Sequence, residues 1–377
     1  MKRYIIKFFC AIFILALAFS CKTGSDRSSD GAGARQKEML YAKGFRIAEY
    51  DKYSVVEIIN PWDTTKLLHR YILLDRNSEP PADLPKGVVI KVPVKRVIIY
   101  TSVHTAVFEQ LGAVESIVGI CESQYVTSPL SLKRIAEGKI KDCGASTSPN
   151  IERIAELGGE VIIASPFEHS GYGQAEKLGI PIFEAADYME GTPLGRAEWI
   201  KLYGLLAGKS EVADSSFNAT VEHYLKLKEL AATSIRRPTV LAERKYGSSW
   251  FIPGGKSYTS IMYRDAGADY LFNDNMESGS VPLSFETVFE RGVNADFWLL
   301  KYTMNRPMSY SDMKQEYPPY GEFDAFKKRR VYGCNTTHTG YYEDISTHPD
   351  YILEDLVAIF HPDLMKGYKL RYYFPLE

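Results

Sequence analysis

Pro149-Asn150-Ile151-Glu152-Arg153-Ile154, with the apolar run Glu160-Val161-Ile162-Ile163-Ala164 behind it, has a second copy far downstream. That copy is Leu283-Ser284-Phe285-Glu286-Thr287-Val288, followed by Asp296-Phe297-Trp298-Leu299-Leu300. In each, a small polar residue able to cap a helix (Asn150 or Ser284) stands two places before a glutamate. A glycine, Gly158 or Gly292, marks the helix end, and a strand follows. The duplication predicts two lobes of one design, each with an acidic side chain in the first turn of a helix.

Outward from the first copy, residues 97–100, 117–121, 140–143, 161–164 and 180–185 read as strands, with helices over 105–111 and 151–157 between them. Alternation of this kind predicts an α/β lobe with a mostly parallel sheet flanked by helices. Thr192-Pro193 reads as a cap and a first helical turn, with helix continuing over 194–207 to Gly208. A longer helix is expected from Ser210, which serves as its cap, to about residue 232, with Ala213, Phe217, Val221, Tyr224 and Leu225 at helical spacing. At about 1.5 Å per residue it makes a rod of roughly 33 Å, long enough to join two lobes. Alternation resumes with strands over 239–243, 297–301 and 331–334, a helix over 259–266 and a last helix over 351–359. Ahead of the first lobe, residues 44–60 and 69–75 read as strands and 77–85 as a loop.

The fold class is therefore α/β with two lobes, one bridging helix and a small N-terminal β extension. The expected boundaries are 1–20 signal peptide, 21–39 lipidated flexible tether, 40–95 β extension, 96–191 first lobe, 192–235 helical backbone and 236–377 second lobe. Met1-Lys2-Arg3 and Lys7 precede an apolar run ending at Ser20-Cys21, the pattern of an export signal. Small residues before Cys21 resemble a bacterial lipoprotein cleavage site, which would lipidate that cysteine and anchor the chain to a membrane of the cell envelope, facing the periplasm or outward. Cys121 and Cys143 both follow strands and could pair, while the absence of a CxxC spacing favours unpaired or structural thiols. Forty-five basic against 47 acidic residues give a formal charge of −2, which leaves no electrostatic footprint for nucleic acid.

From Arg96 to Met365 the chain resembles the helical-backbone substrate-binding proteins of ABC importers for ferric siderophores, haem and vitamin B12. The resemblance is carried by Arg96-Val97-Ile98, Leu111-Gly112, Val118-Gly119-Ile120, both glutamate motifs, Gly254-Gly255-Lys256-Ser257, and Pro349-Asp350 through His361-Pro362-Asp363. It implies a non-enzymatic monomer with no cofactor of its own, any metal arriving within the ligand. It also implies that Glu152 and Glu286 dock against arginines of the permease. The B12 binders of this family carry tryptophans about six residues before each docking glutamate, where this chain has Ser146 and Ser280. An iron chelate of the ferric siderophore or haem type is accordingly expected in the cleft, with a corrinoid such as cobalamin as the alternative.

In open α/β sheets ligands gather beyond the carboxyl ends of strands. The expected cleft residues are Tyr125, Glu168, His169, Tyr172, Arg244, Tyr246, Trp250, Lys301, Tyr302, His338 and Tyr341, with Ser248-Ser249-Trp250 read as an exposed loop. Broad aromatic faces with a few cations suit a large chelate carrying oxygen donors. His169 and His338 lack the spaced partners of a metal site. Pro253-Gly254-Gly255-Lys256-Ser257 resembles a phosphate loop, but its first required glycine falls on Trp250. A rival from another class is an extracytoplasmic hydrolase using Glu152 and Glu286 as a carboxylate pair, which needs them about 5–9.5 Å apart. A third reading is a sensor or scaffold that borrows the fold.

Overall fold

The computed structural model describes residues 33–377. The signal-like run, Cys10, the lipidation candidate Cys21 and the tether through residue 32 lie outside the described residues. Residues 35–377 form one compact unit, and among the described residues no helix is long and apolar enough to cross a membrane.

The chain begins with a five-stranded sheet: β1 (Arg35–Lys37), β2 (Phe45–Glu49), β3 (Tyr53–Ile59), β4 (Leu67–Asp75) and β5 (Val88–Val92), in that spatial order. All neighbours are antiparallel except β4 and β5. The expected strand over 44–60 is thus a hairpin, and β1 falls within the stretch expected to be tether. The sheet is not a separate module. Phe45, Ile47, Val56, Ile58, Tyr71 and Ile90 share one buried cluster with Val97, Ile99, Trp199 and Tyr203 of the neighbouring lobe.

The first lobe holds β6 (Val97–Ile99), β7 (Ile117–Ile120), β8 (Lys141–Asp142), a short hairpin of β9 (Gly144–Ala145) and β10 (Ser148–Pro149), then β11 (Val161–Ala164) and β12 (Ile182–Glu184). Its five-stranded sheet runs β12-β11-β6-β7-β8 with every pair parallel. Gly119 sits where a Cβ would come within 2.7 Å of the Leu157 side chain and 2.9 Å of the Cys143 sulfur, so a larger residue would push these side chains aside where the helix carrying Glu152 packs on the sheet. Cys121, Cys143 and Cys334 are buried free thiols. Burial pushes the Cys143 and Cys334 thiols up to about 11, which keeps them protonated and unreactive at neutral pH.

The second lobe comprises β13 (Thr239–Ala242), β14 (Lys245–Tyr246), β15 (Ser249–Pro253), β16 (Asp269–Tyr270), β17 (Ser280–Leu283), β18 (Phe297–Tyr302), β19 (Val331–Asn335) and β20 (Tyr373–Pro375). Its main sheet runs β16-β13-β18-β19-β20, parallel except for the last pair, and β14-β15-β17 make a smaller antiparallel sheet. This smaller sheet corrects the reading of Trp250. Instead of standing on an exposed loop, Trp250 pairs in β15 with Leu283, is 0% exposed and stacks on Trp298 at 5.4 Å. Its indole N–H donates to the Ala242 carbonyl at 3.0 Å.

The bridging helix runs Ser210–Ala232, about 35 Å at the standard rise. Ser210 is its first residue, and the capping position is Lys209 without a side-chain cap. Ala213 and Phe217 belong to the first lobe's core, Tyr224, Leu227 and Ala231 to that of the second lobe. One apolar stripe thus enters two cores, which is why the joint is rigid. Leu225, expected on that stripe, is exposed, and Leu227 takes its place. The helix expected over 194–207 breaks at Trp199 into Pro193–Glu198 and Ile200–Ala207.

Candidate functional site

The loops that leave the strands at their carboxyl ends enclose two adjoining cavities, which share Tyr342. One, of about 500 Å³, lies on the second lobe and is lined by four cations, Arg196, Arg244, Lys245 and Lys301, against one carboxylate, Glu243. Tyr246, Phe251, Tyr258 and Tyr341 supply aromatic surface. The other, of about 430 Å³, lies between the lobes and includes Tyr125, Thr127, Thr336 and Glu343. Both volumes fall in the range of small-molecule sites.

Three of the four cations are ion-paired with carboxylates. Arg244 is ion-paired with Glu316, and its Nε is buried without a hydrogen-bond partner. Lys301, on β18, pairs with Glu243. Burial acts to lower its pKa, but the Glu243 carboxylate outweighs this and holds the ammonium charged well above its ordinary range. Arg196 reaches the second lobe's cavity from the helix Pro193–Glu198, its Nε donating to Asp187 at 3.1 Å. Burial raises the Asp187 carboxyl, and Arg196 with His104 more than reverses that, leaving it below the usual range. Burial also pushes the phenols of Tyr258 and Tyr341 up, so at neutral pH both offer O–H donors.

Of the residues expected in the cleft, Arg244, Tyr246, Lys301 and Tyr341 line the basic cavity, and Tyr125, 58% exposed, lines the inter-lobe cavity. Tyr302 does not: it is buried, and its hydroxyl accepts a hydrogen bond from the Met308 amide at 3.1 Å. Trp250 is core, as described above. Tyr172 turns its hydroxyl inward to donate to the Ser165 carbonyl at 3.1 Å. Glu168 and His169 line a third cavity, with Asn60, Trp62 and His69 of the β extension, because the turn between β3 and β4 covers the loop after β11. His338 lies in an exposed turn after β19. Among the described residues no group of three or more His, Cys, Asp or Glu is arranged to hold a metal ion.

Residues that sequence reasoning passed over are Arg196, Glu243, Tyr258, Tyr342 and the run of hydroxyls after β19. The doublet Gly254-Gly255 has a packing role: a Cβ on either would approach backbone oxygens of residues 273–279 within 2.8 Å. Ser257 behind it caps the helix Tyr258–Asp265 by accepting from the Ser260 amide.

Glu152 and Glu286 occupy matching positions. Each is exposed in the first turn of its helix, behind a side-chain cap in which Asn150 accepts from the Arg153 amide and Ser284 from the Thr287 amide. Hydrogen bonding from its own amide and from Ser284 holds the Glu286 carboxyl below its usual range. Gly158 ends the first helix with φ 55°, whereas Gly292 is the last residue of the second. Neither glutamate is among the residues that line these two cavities of the cleft.

Residues 97–337, well over half of the chain, match the family described as periplasmic binding protein. An uncharacterised lipoprotein of Methanocaldococcus jannaschii is 28% identical over 368 residues, covering 89% of this chain and 85% of its own. Among solved structures, a periplasmic haem-binding protein from Pseudomonas aeruginosa aligns with a TM-score of 0.59 at 16% identity, covering 75% of this chain and 98% of that one. An ABC-type Fe3+-hydroxamate transport protein from Saccharomonospora viridis gives a TM-score of 0.57 at 16% identity, covering 71% of this chain and 94% of that one. With its two α/β lobes joined by a single rigid helix, this chain belongs to the periplasmic binding protein family.

Proposed function

We propose that this protein is the lipid-anchored, substrate-binding component of an ABC importer in the cell envelope, and that its ligand is an anionic iron chelate of the ferric siderophore or haem type. The observation that carries the reading is the cation-rich, aromatic-walled cavity of the second lobe. Guanidinium and ammonium groups held by carboxylates are pre-organised, so catecholate, hydroxamate or carboxylate oxygens meet charged donors with little rearrangement cost. Tyrosine faces add contact area for a broad chelate. The haem and Fe3+-hydroxamate proteins of like fold and the lipoprotein relative agree with it. Cobalamin remains the alternative ligand, and the chain lacks the tryptophans expected for it before Glu152 and Glu286.

The test is a titration of the purified protein with a ferric tris-catecholate, haemin and cobalamin, followed by fluorescence quenching and calorimetry. One of the two anionic iron ligands is expected to bind saturably. Arg244→Ala is expected to weaken that binding by roughly 10- to 100-fold, the range for losing a hydrogen bond to a charged group. Saturable binding of cobalamin alone would sink the proposal.

A further inference from the structure

The two halves of the cleft differ in charge: four cations line one and, among the described residues, none lines the other, and each holds a glutamate just beyond a strand end. Glu122 and Glu243 each stand just beyond the carboxyl end of a strand next to a sheet edge, β7 and β13, and each is held at positive φ, 58° and 60°. A side chain with a Cβ is strained there, and such strain collects at ligand sites. In the second lobe Glu243 is neutralised by Lys301. Glu122, beyond a different strand of the first lobe, has no ionic partner among the described residues. One of its oxygens accepts from the amide and hydroxyl of Ser146, at 3.1 and 2.6 Å, and the residue lines the inter-lobe cavity.

That cavity is otherwise unlike its neighbour. Thr101, Ser102, Thr303, Thr336 and Thr337 give it a hydroxyl-rich wall, and none of the described residues lining it is Lys or Arg. Glu343 stands on the same wall but is already engaged across the lobes by the Thr127 amide at 3.1 Å and the Thr127 hydroxyl. Among the described residues neither carboxylate has a cationic partner, but both oxygens of Glu343 accept from Thr127, whereas Glu122 keeps one oxygen without a hydrogen bond.

We propose that the cleft takes a two-part ligand: an anionic metal-chelating head on the basic compartment and a hydrogen-bonding arm ending in an alkylammonium, which sits among the threonines and pairs with Glu122. This rests on the reading of the basic compartment given above and specifies the ligand class further. The arm's cation does for Glu122 what Lys301 does for Glu243, and the hydroxyls give its polar atoms partners in place of water.

The experiment compares, by titration calorimetry, the ferric complex of a tris-catecholate bearing a pendant primary amine with the N-acetylated form of the same complex. The amine form is expected to bind about tenfold more tightly, and Glu122→Gln, which keeps the shape and the acceptor for Ser146, removes that preference. Thr337→Val, at an exposed hydroxyl, is expected to weaken both forms by a few fold while preserving the preference. Thermal melts of both variants check folding. Equal binding of the two forms to the wild-type protein overturns the arm and leaves the anionic head standing. A preference that survives Glu122→Gln in a folded variant overturns the assignment to Glu122. Binding of neither form overturns the tris-catecholate head, and the two-part ligand with it.

Discussion

Glu198→Ala is expected to lower the stability of the first lobe by about 3–5 kcal/mol, the range for stripping one partner from a buried ion pair. Glu198 is 0% exposed. Its carboxylate accepts from the amides of Leu40, Tyr41 and Ala42 at 3.1, 2.8 and 2.9 Å and from the Lys201 ammonium at 2.8 Å. Removing it strands a buried cation and three amide donors together. Glu190 binds the next two amides, Lys43 and Gly44, and the Trp199 indole, so the chain entering the β extension hangs on two carboxylates. Urea unfolding followed by circular dichroism gives the magnitude. Hydrogen exchange over residues 40–44 should rise first, and Glu198→Gln, which retains one acceptor oxygen, should fall between wild type and alanine. A midpoint change worth less than about 0.5 kcal/mol in Glu198→Ala would mean the clamp is dispensable.

Glu152→Ala and Glu286→Ala are each expected to cut importer-dependent uptake of the ferric chelate by 10-fold or more while leaving chelate affinity unchanged. A carboxylate facing an arginine contributes about 1.5–3 kcal/mol as a charge-assisted hydrogen bond, and two such points must engage together. The double variant should reduce uptake to background. Both glutamates are exposed on capped helices and neither lines the cleft, so binding and delivery separate cleanly. Uptake is measured with radioactive iron in cells or proteoliposomes carrying the permease, and affinity by titration. A matching loss of affinity, or unchanged uptake, would remove the docking role.

Much of the architecture was legible because it is written in local periodicity. Apolar runs such as Val161–Ala164 are buried on both faces of a parallel sheet, and a long helix with one apolar stripe needs no tertiary knowledge to be seen. The capped glutamate helices were legible for the same reason: a cap and a first turn lie within four residues. The cleft was legible only by rule. Counting from strand ends found Arg244, Tyr246, Lys301, Tyr341 and Tyr125, but the same rule also delivered Tyr302 and Trp250, which fold inward. Arg196 and Glu122 gave no local signal, because what distinguishes them is a neighbour far away in sequence, or the lack of one.

The amino-acid sequence by itself determined two α/β lobes, a rigid bridge and a matched pair of acidic helix starts, since each depends on spacings of a few residues. Tertiary structure alone decided which aromatic side chains face the cleft, that the β extension shares its core with the first lobe, and that one half of the cleft is basic while the other is hydroxylic with two carboxylates and no cation in its lining among the described residues. Those outcomes depend on side chains brought together from 13 to 216 residues apart. Asp355 shows it plainly: a helical carboxylate with nothing unusual around it in sequence becomes the buried acceptor for the amides of Arg371, Tyr372 and Tyr373 and the hydroxyl of Tyr368. Burial makes any unmet hydrogen bond costly, so the partners of such groups are set by the packed fold and cannot be read from their neighbours in the chain.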